Sequence, residues 1–153
     1  MAQVQKSKGS DLLNNPAPVA SLPLQCVIAF DQGYQNAYFL LTLLGLFYKA
    51  YAFNYVASYF VAELLGLLLL WALQHIRLHM GSKGNKNETS GAVVLFCGLS
   101  VLTIGGSLFY ITSQTYVMIF DLVLGGLSVL CGLFEMVVGF VCAIKYHSLE
   151  NSR

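Results

Sequence analysis

Four acids, Asp31, Glu63, Asp121 and Glu135, stand within or beside long apolar runs of this chain. A carboxylate in hydrocarbon costs several kcal/mol, so each must be protonated, paired or turned toward other polar groups. Intramembrane carboxylates often mark a proton or cation path, and that is the most specific chemistry the sequence offers. His75 and His79 are four apart on a helical face, a spacing that can bind metal, but no third ligand follows and a hydrated helix end suits them better. The run Gly81-Ser82-Lys83-Gly84 lacks the glycine spacing and the preceding strand of a phosphate-binding loop. Asn87, Glu88 and Thr89 form a glycosylation-like triplet. No Ser-His-Asp or Cys-His constellation is placed in a pocket, so catalysis, a cofactor and a resident metal are not expected.

The elements that must hold these residues follow from composition. Of 153 residues, 57% are apolar and 10% charged, with a net charge of +1. So much hydrocarbon suits a bilayer better than one small soluble core, and the near-neutral balance argues against nucleic acid as a partner. Cys26, Cys97, Cys131 and Cys142 all lie in apolar runs, which excludes the paired loop cysteines of an extracellular disulfide framework. Residues 1–21 are polar and proline-containing and read as a disordered tail, with no signal-peptide pattern.

Four apolar segments, Pro23–Phe47, Val56–Ile76, Ala92–Ile111 and Val117–Ile144, are each long enough to cross hydrocarbon as a helix. They predict an all-α, four-helix membrane domain over 22–146, with a short tail over 147–153. Ser21 is the expected N-cap of the first helix and Pro23 lies in its first turn. The expected links are Tyr48–Tyr55, Arg77–Gly91 and Thr112–Tyr116, short enough to make neighbouring helices antiparallel. Lys6, Lys8, Arg77, Lys83, Lys86, Lys145 and Arg153 fall on one side of such a bundle and only Lys49 on the other. The positive-inside rule then puts both termini and the middle link in the cytosol, the wrong side for glycosylation of Asn87. Arg77 is expected near the headgroups, with Gly81 and Gly84 letting the chain turn.

Each helix carries a polar or small stripe. Asp31, Gln35, Tyr38, Thr42, Gly45 and Lys49 step by 4,3,4,3,4, and Asp121, Gly125, Ser128, Gly132, Glu135 and Gly139 step identically. Glu63, Leu70 and Arg77 repeat at seven with Gln74 close to the same face, and Gly91, Gly98, Gly105 and Thr112 repeat at seven on the third helix. These are the periods of left-handed helix packing in a membrane, where small residues let backbones approach and polar ones bond across the contact. Packing seams therefore outweigh catalysis as the reading of the acids. Asp31 and Glu63 also fall in opposite halves of the bilayer, which argues against one shared site.

Three stretches resemble a known family, the small four-helix membrane proteins of the ciliary transition zone that include transmembrane proteins 17, 80 and 216. "GYQNAYFLL" at 33–41, followed by Tyr48–Lys49, resembles that family's first helix. "IRLHMGSKGN" at 76–85 resembles its Ile-Arg-Leu, two apolar residues, then Gly-Thr/Ser-Lys/Arg-Gly-Asn, from which His79 departs. "QTYV" at 114–117 resembles the turn before the last helix, and Glu63, Asp121 and Glu135 match acids in the relatives. Gln74 stands where those relatives carry a glutamate, which weakens a proton path more than a hydrogen-bonded seam. The resemblance covers about residues 22 to 144 and implies a non-enzymatic component of the membrane complex at the cilium base, associated with tectonic and B9-domain proteins. The helix seams and the middle link offer Asp31, Tyr38, Lys49, Glu63, Gln74, Arg77, Gly81, Lys83, Gly84, Asn85, Asp121 and Glu135 as helix-packing and partner contacts, with membrane lipid and homo- or hetero-oligomers as further partners. A small ion- or proton-coupled transporter using Asp31, Glu63 or Glu135 is the alternative. A lipid-binding module resting on the cations of the middle link is a third reading, with fewer charges than such modules carry.

Overall fold

A computed structural model describes residues 20–150; the expected tail up to residue 19, with Lys6 and Lys8, and the end at Arg153 lie outside the described residues. Four helices follow one another: α1 Leu22–Ala52, α2 Ala57–Asn87, α3 Ser90–Thr112 and α4 Ile119–Glu150. They form a closed ring in which α1 packs on α2 and α4, and α3 packs on the same two. Helices α2, α3 and α4 are long and apolar enough to cross a membrane. On helix α1, Asp31, Gln35, Thr42 and Lys49 point inward while Leu22, Phe30, Leu40, Leu44 and Phe47 lie exposed on its outer face. The result is a four-helix membrane bundle, apolar outside and polar within.

The middle link differs from its expectation. Helix α2 continues ten residues past Arg77 to Asn87, and only Glu88 and Thr89 separate it from α3. Glu88 ends the helix in the left-handed conformation at φ 53°, with its N–H bonded to Gly84 O. Gly81 and Gly84, expected to turn the chain, are helical and serve close approach instead. A Cβ on Gly81 would lie 2.7 Å from Phe96 Cδ2, and one on Gly84 would lie 2.9 Å from Val93 Cγ2. Apolarity ends near Ile76, yet the helix need not end there, because its polar residues find partners inside the bundle.

The α3 stripe also differs. Gly98 and Gly105 face away from the bundle, and an added Cβ at Gly91, Gly98 or Gly105 would meet nothing within 4 Å. The inward face is Val93, Phe96, Ser100, Thr103, Ser107 and Tyr110. It too steps by 3 and 4, so a serine and threonine seam won over the glycine heptad. The seams on α1 and α4 run where the spacing put them: Asp31, Gln35, Tyr38, Thr42 and Lys49 are buried, as are Asp121, Ser128 and Glu135.

Along the bundle axis polar and apolar levels alternate. At the end shared by the start of α1 and the close of α4, Asn85 Oδ1 accepts from Ser21 N–H at 2.9 Å and from Tyr146 O–H at 2.6 Å, and Asn85 Nδ2 donates to Ser21 O at 2.9 Å. Ser21 is the N-cap residue, but its side chain makes no cap bond; its backbone is held by α2 instead. Below this clasp lies a core of Leu24, Ile28, Leu78, Val93, Phe96, Cys142 and Ala143. Asn85→Ala strips three hydrogen bonds and leaves the Ser21 amide only the Tyr146 hydroxyl at 3.1 Å, so we expect a loss of roughly 2 kcal/mol, read as a lower thermal midpoint of the purified protein.

Candidate functional site

The central polar level gathers three residues from three helices. Arg77 of α2 reaches between α1 and α4, with Nη2 2.5 Å from Asp31 Oδ2 and Nη1 2.8 Å from Glu135 Oε2. Arg77 Nη1 also donates to Ser100 Oγ at 3.3 Å, and its guanidinium carbon stands 5.5 Å from the centre of the Phe96 ring. The Ser100 hydroxyl in turn donates to Phe96 O at 2.8 Å. Gln35 Nε2 donates to Asp31 Oδ1 at 3.0 Å and to Ser128 Oγ at 3.3 Å, and Ser128 meets Ser107 at 3.2 Å. All four helices thus contribute to one network. Glu135 is the exception within it: it lies in ionic range of Arg77, yet neither oxygen has a hydrogen bond of good geometry.

An apolar level of Tyr38, Leu67, Leu70 and Tyr110 separates this cluster from the opposite end. There Lys49 Nζ stands 2.5 Å from Asp121 Oδ2 and donates to Gln114 Oε1 at 3.0 Å. Lys49, which the sequence presents as the one cation on its side, is wholly buried and tied to α4. Asp121 Oδ2 also accepts the Met118 amide at 2.8 Å, which closes the first turn of α4.

Beside that pair, Glu63 ties together the two links at this end. Its Oε1 accepts Thr115 N–H at 2.8 Å and Thr115 O–H at 2.5 Å, and Oε2 accepts the Tyr55 hydroxyl. Tyr55 lies in the 53–56 link, and Tyr116, next to Thr115, packs on both Tyr55 and Phe53. Burial, then the hydrogen bond to Glu63, pushes the Tyr55 phenol from its ordinary 10 up to about 12. A folded-state value above the unfolded one contributes stability that is present below pH 10 and lost as pH rises toward 12. Tyr55→Phe is therefore expected to lower stability by about 1 kcal/mol and to remove that alkaline loss, both readable by thermal unfolding against pH.

The sequence-derived residues divide cleanly. Asp31, Arg77 and Glu135 meet in one cluster; Lys49 and Asp121 meet in another; Glu63 stands apart from Asp31, as their positions in opposite halves predict. Tyr38 lies in the intervening apolar level, and Gln74 is buried beside Gln35 around a void of about 10 Å³. Gly81, Gly84 and Asn85 face inward, Arg77 is buried rather than at the headgroups, and Lys83 is exposed. His75 packs edge-on to Trp71 with ring centres 4.6 Å apart, and no cluster of three metal-ligating residues occurs among the described residues. Sequence reasoning missed Ser100 and Ser107, whose 3,4 spacing with Thr103 and Tyr110 was a usable signal. It missed Tyr55 and Tyr146, isolated residues with no periodic signature, and saw Gln114 and Thr115 only as part of a turn.

Comparison with known proteins agrees with this architecture. The Transmemb_17 family, described as a predicted membrane protein, matches residues 26–133. Transmembrane protein 216 of Danio rerio is 29% identical over 133 residues, 87% of this chain and 82% of that protein. Its counterpart in Homo sapiens is 28% identical over 115 residues, 74% of this chain and 79% of that one. The Rattus norvegicus protein is 28% identical over 134 residues, covering 87% of this chain and 94% of its own. No solved structure matches the chain. With a polar-cored ring of four apolar helices and a match across most of its length, the chain belongs to the Transmemb_17 family of membrane proteins.

Proposed function

We infer that this protein is a non-enzymatic subunit of the membrane complex at the ciliary transition zone, docking partner proteins of the tectonic and B9-domain type and supporting the diffusion barrier. The observation that carries the reading is where the polar groups go. Asp31, Glu63, Asp121 and Glu135 all engage partners within the chain, and the outer surface is dominated by leucine, valine and phenylalanine. Such a bundle is suited to assembly with lipid and other helices. The resemblance of 33–41, 76–85 and 114–117 to transition-zone proteins supplies the place, and the family membership is in keeping with it.

Because Arg77 is buried, it makes a poor probe of partner contact, whereas Lys83 and Lys86 are exposed on the last turns of α2. Lys83→Glu combined with Lys86→Glu is expected to leave membrane insertion intact and to reduce co-purification of partners and enrichment at the cilium base. Imaging the tagged chain against basal-body and axonemal markers is the direct test. Uniform membrane distribution in a ciliated cell would overturn the location, and unchanged partner recovery in the double variant would overturn the contact surface.

The alternative, a small proton- or ion-coupled transporter, draws on the meeting of Asp31 and Glu135 in one cluster. Protein in liposomes is expected to show no flux driven by pH or ion gradients; flux abolished by Asp31→Asn or Glu135→Gln would favour the transporter.

A further inference from the structure

The three ionisable groups at the centre of the bundle carry charges that do not cancel. Arginine stays protonated in proteins, so Arg77 is a fixed cation. It faces two carboxyls, Asp31 at 2.5 Å and Glu135 at 2.8 Å, and all three side chains are at most 1% exposed. With both acids ionised the cluster would hold one uncompensated negative charge inside a bundle surrounded by hydrocarbon, where burial costs several kcal/mol. No second cation is at hand. Lys49, the other buried cation among the described residues, is engaged with Asp121 on the far side of the tyrosine and leucine level.

Apart from Arg77, the groups around the two acids are neutral. On α1 the Tyr34 phenol packs against the tyrosine and leucine level and donates to Leu124 O at 2.6 Å; from α4 comes the Cys131 thiol. Helix α2 brings Arg77 as its charged group, and α3 brings the Ser100 hydroxyl and the Phe96 ring.

Hydrogen bonding distinguishes the two acids. Asp31 accepts from both Gln35 and Arg77, donors that favour the anion. Glu135 has Arg77 Nη1 at 2.8 Å but no well-aligned hydrogen bond at either oxygen despite complete burial. An ionised carboxylate left that way would be the most costly group in the bundle, whereas a neutral acid has an O–H to donate. The two carboxyls flank the same guanidinium, Asp31 at Nη2 and Glu135 at Nη1, which brings them close to each other.

We propose that Glu135 binds one resident proton, making Asp31, Arg77 and Glu135 a neutral proton-binding site in the core of the bundle. Arg77 and Asp31 form the ion pair, and Glu135 is the neutral acid bridging to it. The proton is a structural ligand: it removes the surplus charge and supplies the hydrogen bond that Glu135 otherwise lacks.

Infrared spectroscopy of the full chain in lipid nanodiscs at neutral pH tests this. The wild-type spectrum is expected to contain the carbonyl stretch of a protonated carboxylic acid, and Glu135→Gln is expected to lose it while keeping the wild-type thermal midpoint, because a neutral amide replaces a neutral acid. Asp31→Asn is expected to lose the band as well, since Glu135 then becomes the only anion opposite Arg77 and gives up its proton. A wild-type spectrum without the band, a band surviving in both variants, or failure of Glu135→Gln to insert as a folded bundle would each overturn the proposal.

Discussion

Replacing Arg77 by methionine is expected to have the largest effect of any single change in this chain. The substitution removes the one cation shared by Asp31 and Glu135, the bond to Ser100 and the contact with the Phe96 ring. Stripping one partner from a buried ion pair costs about 3–5 kcal/mol, because the charge left behind is neither solvated nor paired. A domain of this size has on the order of 5–15 kcal/mol to lose, so much of the folded population should disappear. The measurement is the folded fraction and thermal midpoint of detergent-purified protein. A compensating experiment separates charge from shape: Arg77→Met combined with Asp31→Asn and Glu135→Gln is expected to regain most of the stability, since no buried charge then lacks a partner. Arg77→Lys should fall between, because an ammonium point charge cannot span both acids and Ser100 as the planar guanidinium does. Wild-type stability in Arg77→Met would show that the cluster is not what holds the three helices.

The second large effect belongs to Gly84. A Cβ there would stand 2.9 Å from Val93 Cγ2, 3.0 Å from Ala92 Cβ and 3.0 Å from the Val93 amide nitrogen. Backbone cannot swing aside as a side-chain tip can, and the two-residue link between α2 and α3 gives the start of α3 no slack. Gly84→Leu is expected to cost about 3 kcal/mol or more through overpacking, outweighing the roughly 1 kcal/mol of helix propensity that leaving glycine gains. It should also disturb the neighbouring Asn85 clasp. Gly98→Leu on the outer face of α3 is the matched control: its Cβ meets nothing within 4 Å, so stability should hold or rise slightly. Equal losses in the two variants would overturn the close-approach account, since Gly84 has an ordinary helical backbone.

Much of this arrangement was legible in the chain. The 4,3 stepping from Asp31 to Lys49 and from Asp121 to Glu135 identified the inward faces of α1 and α4 residue by residue, because a helix in lipid turns its polar groups to one side whatever its neighbours are. The α3 heptad of glycines misled for the same reason stated in reverse. Small residues permit close approach without demanding it, whereas Ser100, Thr103 and Ser107 need partners and went inward. The stretch 76–87 misled through composition: basic and small residues read as a link, although their partners lie inside the fold.

What the sequence by itself determined is therefore the class and the period: four membrane helices, a polar seam on each, and acids that must find partners. Those conclusions follow from length, hydropathy and the cost of burying charge, which are properties of single segments. Only the tertiary structure decided who pairs with whom. That Arg77 joins Asp31 and Glu135, that Lys49 meets Asp121 and that Asn85 holds the start of α1 depend on the axial levels at which four helices come to rest. Those levels are set by close approaches at Gly81 and Gly84 and by a two-residue turn at Glu88, contacts between segments that no single segment encodes.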